Sequence, residues 1–113
     1  MNAEGNRVVV ACVPDAIDPA ERRAHFDLAR KLLSDLAASR RSLPNGVAFG
    51  LPPDSLEAIA RFVANERKCC PFMTFDINVE PNNGAVSLSM TGPPGTREVI
   101  EAELGLQGQC GCR

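Results

Sequence analysis

At 113 residues the chain is long enough for one domain with its own core, and its 44% hydrophobic and 23% charged content is that of an ordinary globular protein. Fourteen acidic against twelve basic residues leave a formal charge of −2, and with no Trp, no Tyr and no basic run the sequence argues against nucleic-acid binding. No apolar stretch approaches the roughly 20 residues of a bilayer span and no signal-peptide pattern is present, so the expected setting is cytoplasmic, with no membrane partner.

The first predicted element is a strand over Arg7–Val13, a β-branched run stopped by Pro14. Asp18-Pro19-Ala20-Glu21 opens a helix, with Asp18 as N-cap and Pro19 at the first helical position. Its apolar face runs through Phe26, Ala29, Leu33, Leu36 and Ala37, widened by Leu28 and Leu32, and Arg40 and Arg41 fall at or just past its end. Leu43-Pro44-Asn45-Gly46 reads as a turn and Val47–Leu51 as a short strand. Asp54-Ser55-Leu56-Glu57 starts a second helix with Leu56, Ile59, Ala60 and Val63 facing inward.

From Met73 to Val79 the residues alternate, Met73, Phe75, Ile77 and Val79 on one face and Thr74, Asp76 and Asn78 on the other. Pro81-Asn82-Asn83-Gly84 is a hairpin turn, Asn-Gly suiting the positive φ of type I′, and Val86, Leu88 and Met90 face inward from the partner strand. Gly92-Pro93-Pro94-Gly95 is a stiff turn before a last helix from Thr96 to Leu104. The order β-α-β-α-β-β-α predicts an α+β fold, a small sheet with helices on one face, as in a ferredoxin-like variant. Residues 1–106 form a single domain in this reading, and 107–113 a flexible Cys-Gly-Cys tail.

Chemistry concentrates in the cysteines. Of five, Cys69 and Cys70 are adjacent and Cys110 and Cys112 are separated only by Gly111, while Cys12 stands alone. In a reducing compartment these are thiols, and an odd number fits poorly with complete pairing. Adjacent Cα atoms lie about 3.8 Å apart, below the usual disulfide range, which disfavours a Cys69–Cys70 bond. Pro71 ends the helix at Cys70, so the pair sits on a helix terminus, with Cys70 near the buried face and Cys69 at its edge.

Arg67 and Lys68 favour thiolate there, although the C-terminal end of the helix dipole opposes it. Cys110 and Cys112 form a second, mobile pair, so the candidate ligands are Cys69, Cys70, Cys110 and Cys112. Neither spacing is that of a zinc hook. Soft ions that accept two or three thiolates, Hg(II) or Cu(I), fit better than Zn(II). Cys12 reads as a core residue, His25 as a solvated helix residue, and Asp76 as a strand aspartate that can serve as a proton donor beside a thiolate. The arginines 22, 23, 30, 40 and 41 read as a solvated surface.

Glu66-Arg67-Lys68-Cys69-Cys70-Pro71-Phe72-Met73-Thr74-Phe75, with Glu80-Pro81, Gly84 and Thr91-Gly92-Pro93-Pro94-Gly95, resembles a group of small bacterial E-R-x-C-C-P-F proteins. Such modules are associated with mercury and heavy-metal resistance, sometimes attached to metal-responsive regulators. The resemblance spans Leu56 to Ile100 and implies Cys69 and Cys70 as metal-site residues. Capture of a soft ion, Hg(II) before Cu(I), is the leading expectation, with a metal-responsive regulator or a thiol exchange partner on the other side. The alternatives are an organomercurial lyase-like enzyme, with Asp76 as its acid, and a thiol redox or sensor protein.

Overall fold

The computed structural model describes residues 12–36 and 39–103. Its elements are α1 (Pro19–Leu36), β1 (Arg40–Leu43), β2 (Gly46–Leu51), α2 (Leu56–Cys69), β3 (Thr74–Val79), β4 (Val86–Thr91) and α3 (Thr96–Glu103). The four strands form one antiparallel sheet in the order β1-β2-β4-β3. This is an α+β fold. Strands β2 and β3 both run antiparallel to the intervening β4, and α2 connects them, which makes a split β-α-β unit of the kind found in ferredoxin-like sheets.

The strand expected over Arg7–Val13 lies mostly outside the described residues, and Cys12 and Val13 belong to no strand. Among the described residues the first strand in chain order is β1, in residues expected to lie at or just past the end of the first helix. The turn at Pro44-Asn45 pairs Arg40 with Phe49 and Ser42 with Val47. Hairpin pairing therefore takes Arg40 and Arg41 out of the helix. Arg40 reaches Glu101 of α3 at 3.6 Å, so it bridges sheet to helix rather than facing solvent alone.

Helix α1 starts as its sequence dictates, the Asp18 carboxylate accepting from the Ala20 N–H at 2.9 Å. The core is one layer between the helices and one sheet face. Val47, Phe49 and Leu51 of β2 lie beside Met90, Leu88 and Val86 of β4, all buried, under Ile59, Phe62 and Ile100.

Two inward faces differ from expectation. The buried stripe of α2 is Ile59, Phe62, Glu66 and Cys69, about one residue around the helix from the predicted one; Leu56 and Ala60 are exposed. The helix is wedged between sheet and α1, so it turns its largest ring, Phe62, into the core. On β3 the alternation holds, but Ile77 and Val79 are 37% and 50% exposed. Among the described strands this one lies at one edge of the sheet.

The β3–β4 turn also shifts by one position. Positive φ falls on Asn82 (61°) and Asn83 (55°), and the Gly84 N–H donates to the Pro81 carbonyl at 3.1 Å. Asparagine tolerates the left-handed region better than other non-glycine residues, so the pair Asn82-Asn83 takes the two central places.

Candidate metal centre

Pro71 ends α2 where the sequence says it must. Cys69 is the last helical residue, and Cys70 is the cap, with φ −122° and ψ 75°. The cap remains tied to the helix because the Cys70 N–H donates to the Glu66 carbonyl at 2.7 Å, and its own carbonyl accepts from Met73 at 3.2 Å. The segment before α1 docks on this terminus: the Val13 N–H donates to the Cys69 carbonyl at 2.6 Å. That bond satisfies a carbonyl the helix end leaves open, and it brings Cys12 in with it.

The result is a cluster. The sulfurs of Cys12, Cys69 and Cys70 all lie within 4.8 Å of one another, and Cys12 Sγ is 2.7 Å from Cys70 Sγ. That separation exceeds the roughly 2.05 Å of a disulfide, and all three cysteines are reduced. Cys69 and Cys70 are fully buried, whereas Cys12 is partly open to solvent. Three thiols this close can hold a metal ion.

The cluster sets the charge on its own central sulfur. Hydrogen bonds from the Cys12 and Cys70 thiols hold Cys69 far below its ordinary 9.0, down to about 3. Burial opposes them, while the Val13 N–H and the charge of His25 add smaller downward pulls. Cys69 is therefore a thiolate at neutral pH. The cause is not the expected one, since Arg67 and Lys68 are exposed and the stabilising donors are the other two thiols.

Behind the sulfurs stands a buried polar pair. Cys70 Sγ lies 3.4 Å from Glu66 Oε2, so its single thiol proton is shared between that carboxylate and Cys69, and Glu66 Oε1 meets His25 Nε2 at 2.8 Å. The side chains of His25 and Glu66 are 0% and 2% exposed. His25 stacks on Phe62 with ring centroids 5.4 Å apart, and its Nδ1 is buried without a hydrogen-bond partner among the described residues. His25 is thus not the solvated residue expected. It lies one turn before Ala29 and seven residues before Leu32, on the same buried face of α1.

The expected ligands divide. Cys69 and Cys70 are joined by Cys12, which the sequence reading left in the core. Cys110 and Cys112, with the tail 107–113, lie outside the described residues. Asp76 is exposed on β3, across from Ser89, and the carboxylate that accepts from Cys70 is that of Glu66. No protein-family model, curated protein or solved structure matches the chain. Among the described residues no helix is long and apolar enough to cross a membrane.

Proposed function

We propose that the protein captures a soft metal ion as its cargo, Hg(II) in first place and Cu(I) next, and works in the cytoplasm in heavy-metal resistance or trafficking. The observation that carries this reading is the convergence of Cys12, Cys69 and Cys70, with one sulfur already a thiolate. Thiolates bind soft ions in preference to hard ones, so the donor set selects against Mg(II) and Ca(II) outright. The resemblance of Glu66–Phe75 to the E-R-x-C-C-P-F proteins supports the same choice, and would place a metal-responsive regulator or a thiol exchange partner downstream.

Exposure orders the steps. Cys12 is the one sulfur of the three that solvent reaches, so it meets the incoming ion first. Ligand exchange then passes the ion inward to the Cys69 thiolate and to Cys70, whose proton leaves through the adjacent Glu66 carboxylate. Cys110 and Cys112 are candidates to deliver the ion to Cys12. Anaerobic titration of the reduced protein with Hg(II), Cu(I) and Zn(II) tests the reading. The Cys69→Ser/Cys70→Ser variant is expected to lose at least tenfold in affinity for Hg(II); full retention for every ion would sink the proposal.

A thiol redox role is the second reading, favoured by the 2.7 Å approach of Cys12 and Cys70. In it the ion is replaced by an oxidant, and these two thiols are the pair that closes. An organomercurial-cleaving enzyme would need an acid at the sulfurs, and Glu66 is better placed for that part than Asp76.

A further inference from the structure

The number of sulfurs, their burial and the charge around them bear on which ion the site suits. Resting on the thiol-capture reading above, we propose that the Cys12–Cys69–Cys70 cluster is a three-coordinate site for a trivalent pyramidal metalloid, As(III) or Sb(III) in its hydroxide form.

Charge is the first argument. Three thiolates around a trivalent ion sum to zero, whereas the same three around Zn(II) leave −1 and around Cu(I) leave −2. Cys69 and Cys70 are fully buried, and the Cys12 and Cys70 thiol protons that support the Cys69 charge in the ion-free site leave when an ion binds, so a net charge left on the complex is costly. The nearby Glu66–His25 pair does not offset it, because the two groups are hydrogen-bonded to each other at 2.8 Å. A neutral complex is the one this pocket accommodates without further compensation.

Coordination number is the second. Zinc asks for four ligands, and the described residues supply three that converge. A trivalent metalloid asks for three and fills the fourth direction with its own lone pair. Distance is the third. With bonds of about 2.3 Å to sulfur, a pyramidal ion wants its sulfurs about 3.4 Å apart, while linear two-sulfur capture wants about 4.6 Å. The Cys12–Cys70 separation of 2.7 Å is nearer to the pyramidal spacing than to the linear one.

The binding step conserves oxidation state. Three As–O bonds break and three As–S bonds form. Each thiol proton leaves with a hydroxide as water, and the sulfur that starts as a thiolate releases its hydroxide unprotonated. No reductant or oxidant is consumed.

The test uses the reduced full-length chain under anaerobic conditions, titrated with sodium arsenite and separately with Hg(II). X-ray absorption at the arsenic edge counts the sulfur neighbours. The expected result is one As(III) per chain with three sulfurs, unchanged in Cys110→Ser/Cys112→Ser. Affinity for arsenite should fall at least 100-fold in Cys12→Ser, while Hg(II), which two sulfurs satisfy, loses less than tenfold. Circular dichroism of Cys12→Ser checks that the fold survives, and the sulfur count on the unmodified chain decides the matter if it does not. Two sulfurs per arsenic, or equal losses for both ions, overturns the metalloid assignment. Hg(II) binding at Cys69 and Cys70 with no arsenite binding overturns it while leaving soft-ion capture intact. If neither ion binds, both readings fall.

Discussion

Removing His25 while leaving Glu66 is the sharpest test of how this site is held. The two side chains are 0% and 2% exposed and meet at 2.8 Å, and the second Glu66 oxygen accepts from Cys70 at 3.4 Å. In His25→Leu the carboxylate keeps, among the described residues, the weak thiol donor and remains in the core. Breaking a buried pair from one side costs about 3–5 kcal/mol. For a domain of this size that lowers the melting temperature by about 12–20 °C, at about 4 °C per kcal/mol. Taking both partners away, in His25→Leu/Glu66→Leu, strands neither charge, and an apolar replacement of a buried pair is often close to neutral. The assay is urea unfolding of the wild type, both single variants and the double variant in reductant, followed by circular dichroism. The double variant should be more stable than His25→Leu, with a coupling energy of about 2 kcal/mol or more. If the two changes simply add, within about 0.5 kcal/mol, the pair is not linked and the reasoning fails.

Two further outcomes follow from the sulfurs. Because folding lowers Cys69 from 9.0 to about 3, the unfolded chain binds more protons between those limits. The stability that Cys69 contributes is complete above the unfolded value, shrinks as pH falls, and is gone below the folded one. The difference in unfolding free energy between wild type and Cys69→Ser should therefore narrow from about pH 8 to about pH 4, and a constant difference would contradict the assignment of the thiolate. Hydrogen peroxide should convert two thiols to a disulfide with release of two waters, and peptide mapping should find Cys12 joined to Cys70 rather than Cys69 to Cys70. Such a bond spans 58 positions in sequence and is worth about 4 kcal/mol in the chain-entropy model; a Cys69–Cys70 product would instead refute the redox reading.

The sequence carried the α+β class, the N-cap at Asp18, the helix stop at Pro71 and the alternation of β3, because each is set by a few neighbouring residues. It also placed Cys69 and Cys70 on a helix end. What it did not place is the part of the site that comes from elsewhere in the chain. Cys12 reaches the pair through a backbone hydrogen bond from Val13 to a carbonyl 56 residues away, and nothing in the local pattern announces that contact. His25 and Glu66 were nearer to legible. Glu66 lies four residues after Phe62 and seven after Ile59, and His25 four before Ala29, so both occupy the apolar stripes of their helices. A carboxylate on one stripe and an imidazole on another are a pair waiting for a tertiary contact. Reading the α2 stripe through Val63 rather than Phe62 hid this, and it also left Cys69 at the edge of a face of which it is a fully buried member.

Distance in sequence has a consequence for how the site works. The ligands come from two segments, joined by the Val13 hydrogen bond, by the approach of the sulfurs and by packing of the Pro14–Ala16 turn on α2. An ion held by Cys12, Cys69 and Cys70 therefore cross-links the start of the described chain to the end of α2, and the unfolded chain has no such site to offer. Binding free energy is then folding free energy. At an ion concentration 100 times the dissociation constant the gain is about 2.7 kcal/mol. The buried Glu66–His25 pair counts in the same balance, since it joins α2 to α1 and, in the ion-free site, accepts a hydrogen bond from the Cys70 thiol. The polar pair thus steadies the end of α2 that carries Cys69 and Cys70, and the third sulfur arrives on the segment whose Val13 N–H is bonded to the Cys69 carbonyl. That division makes Cys12 the position where capture and release are most easily tuned.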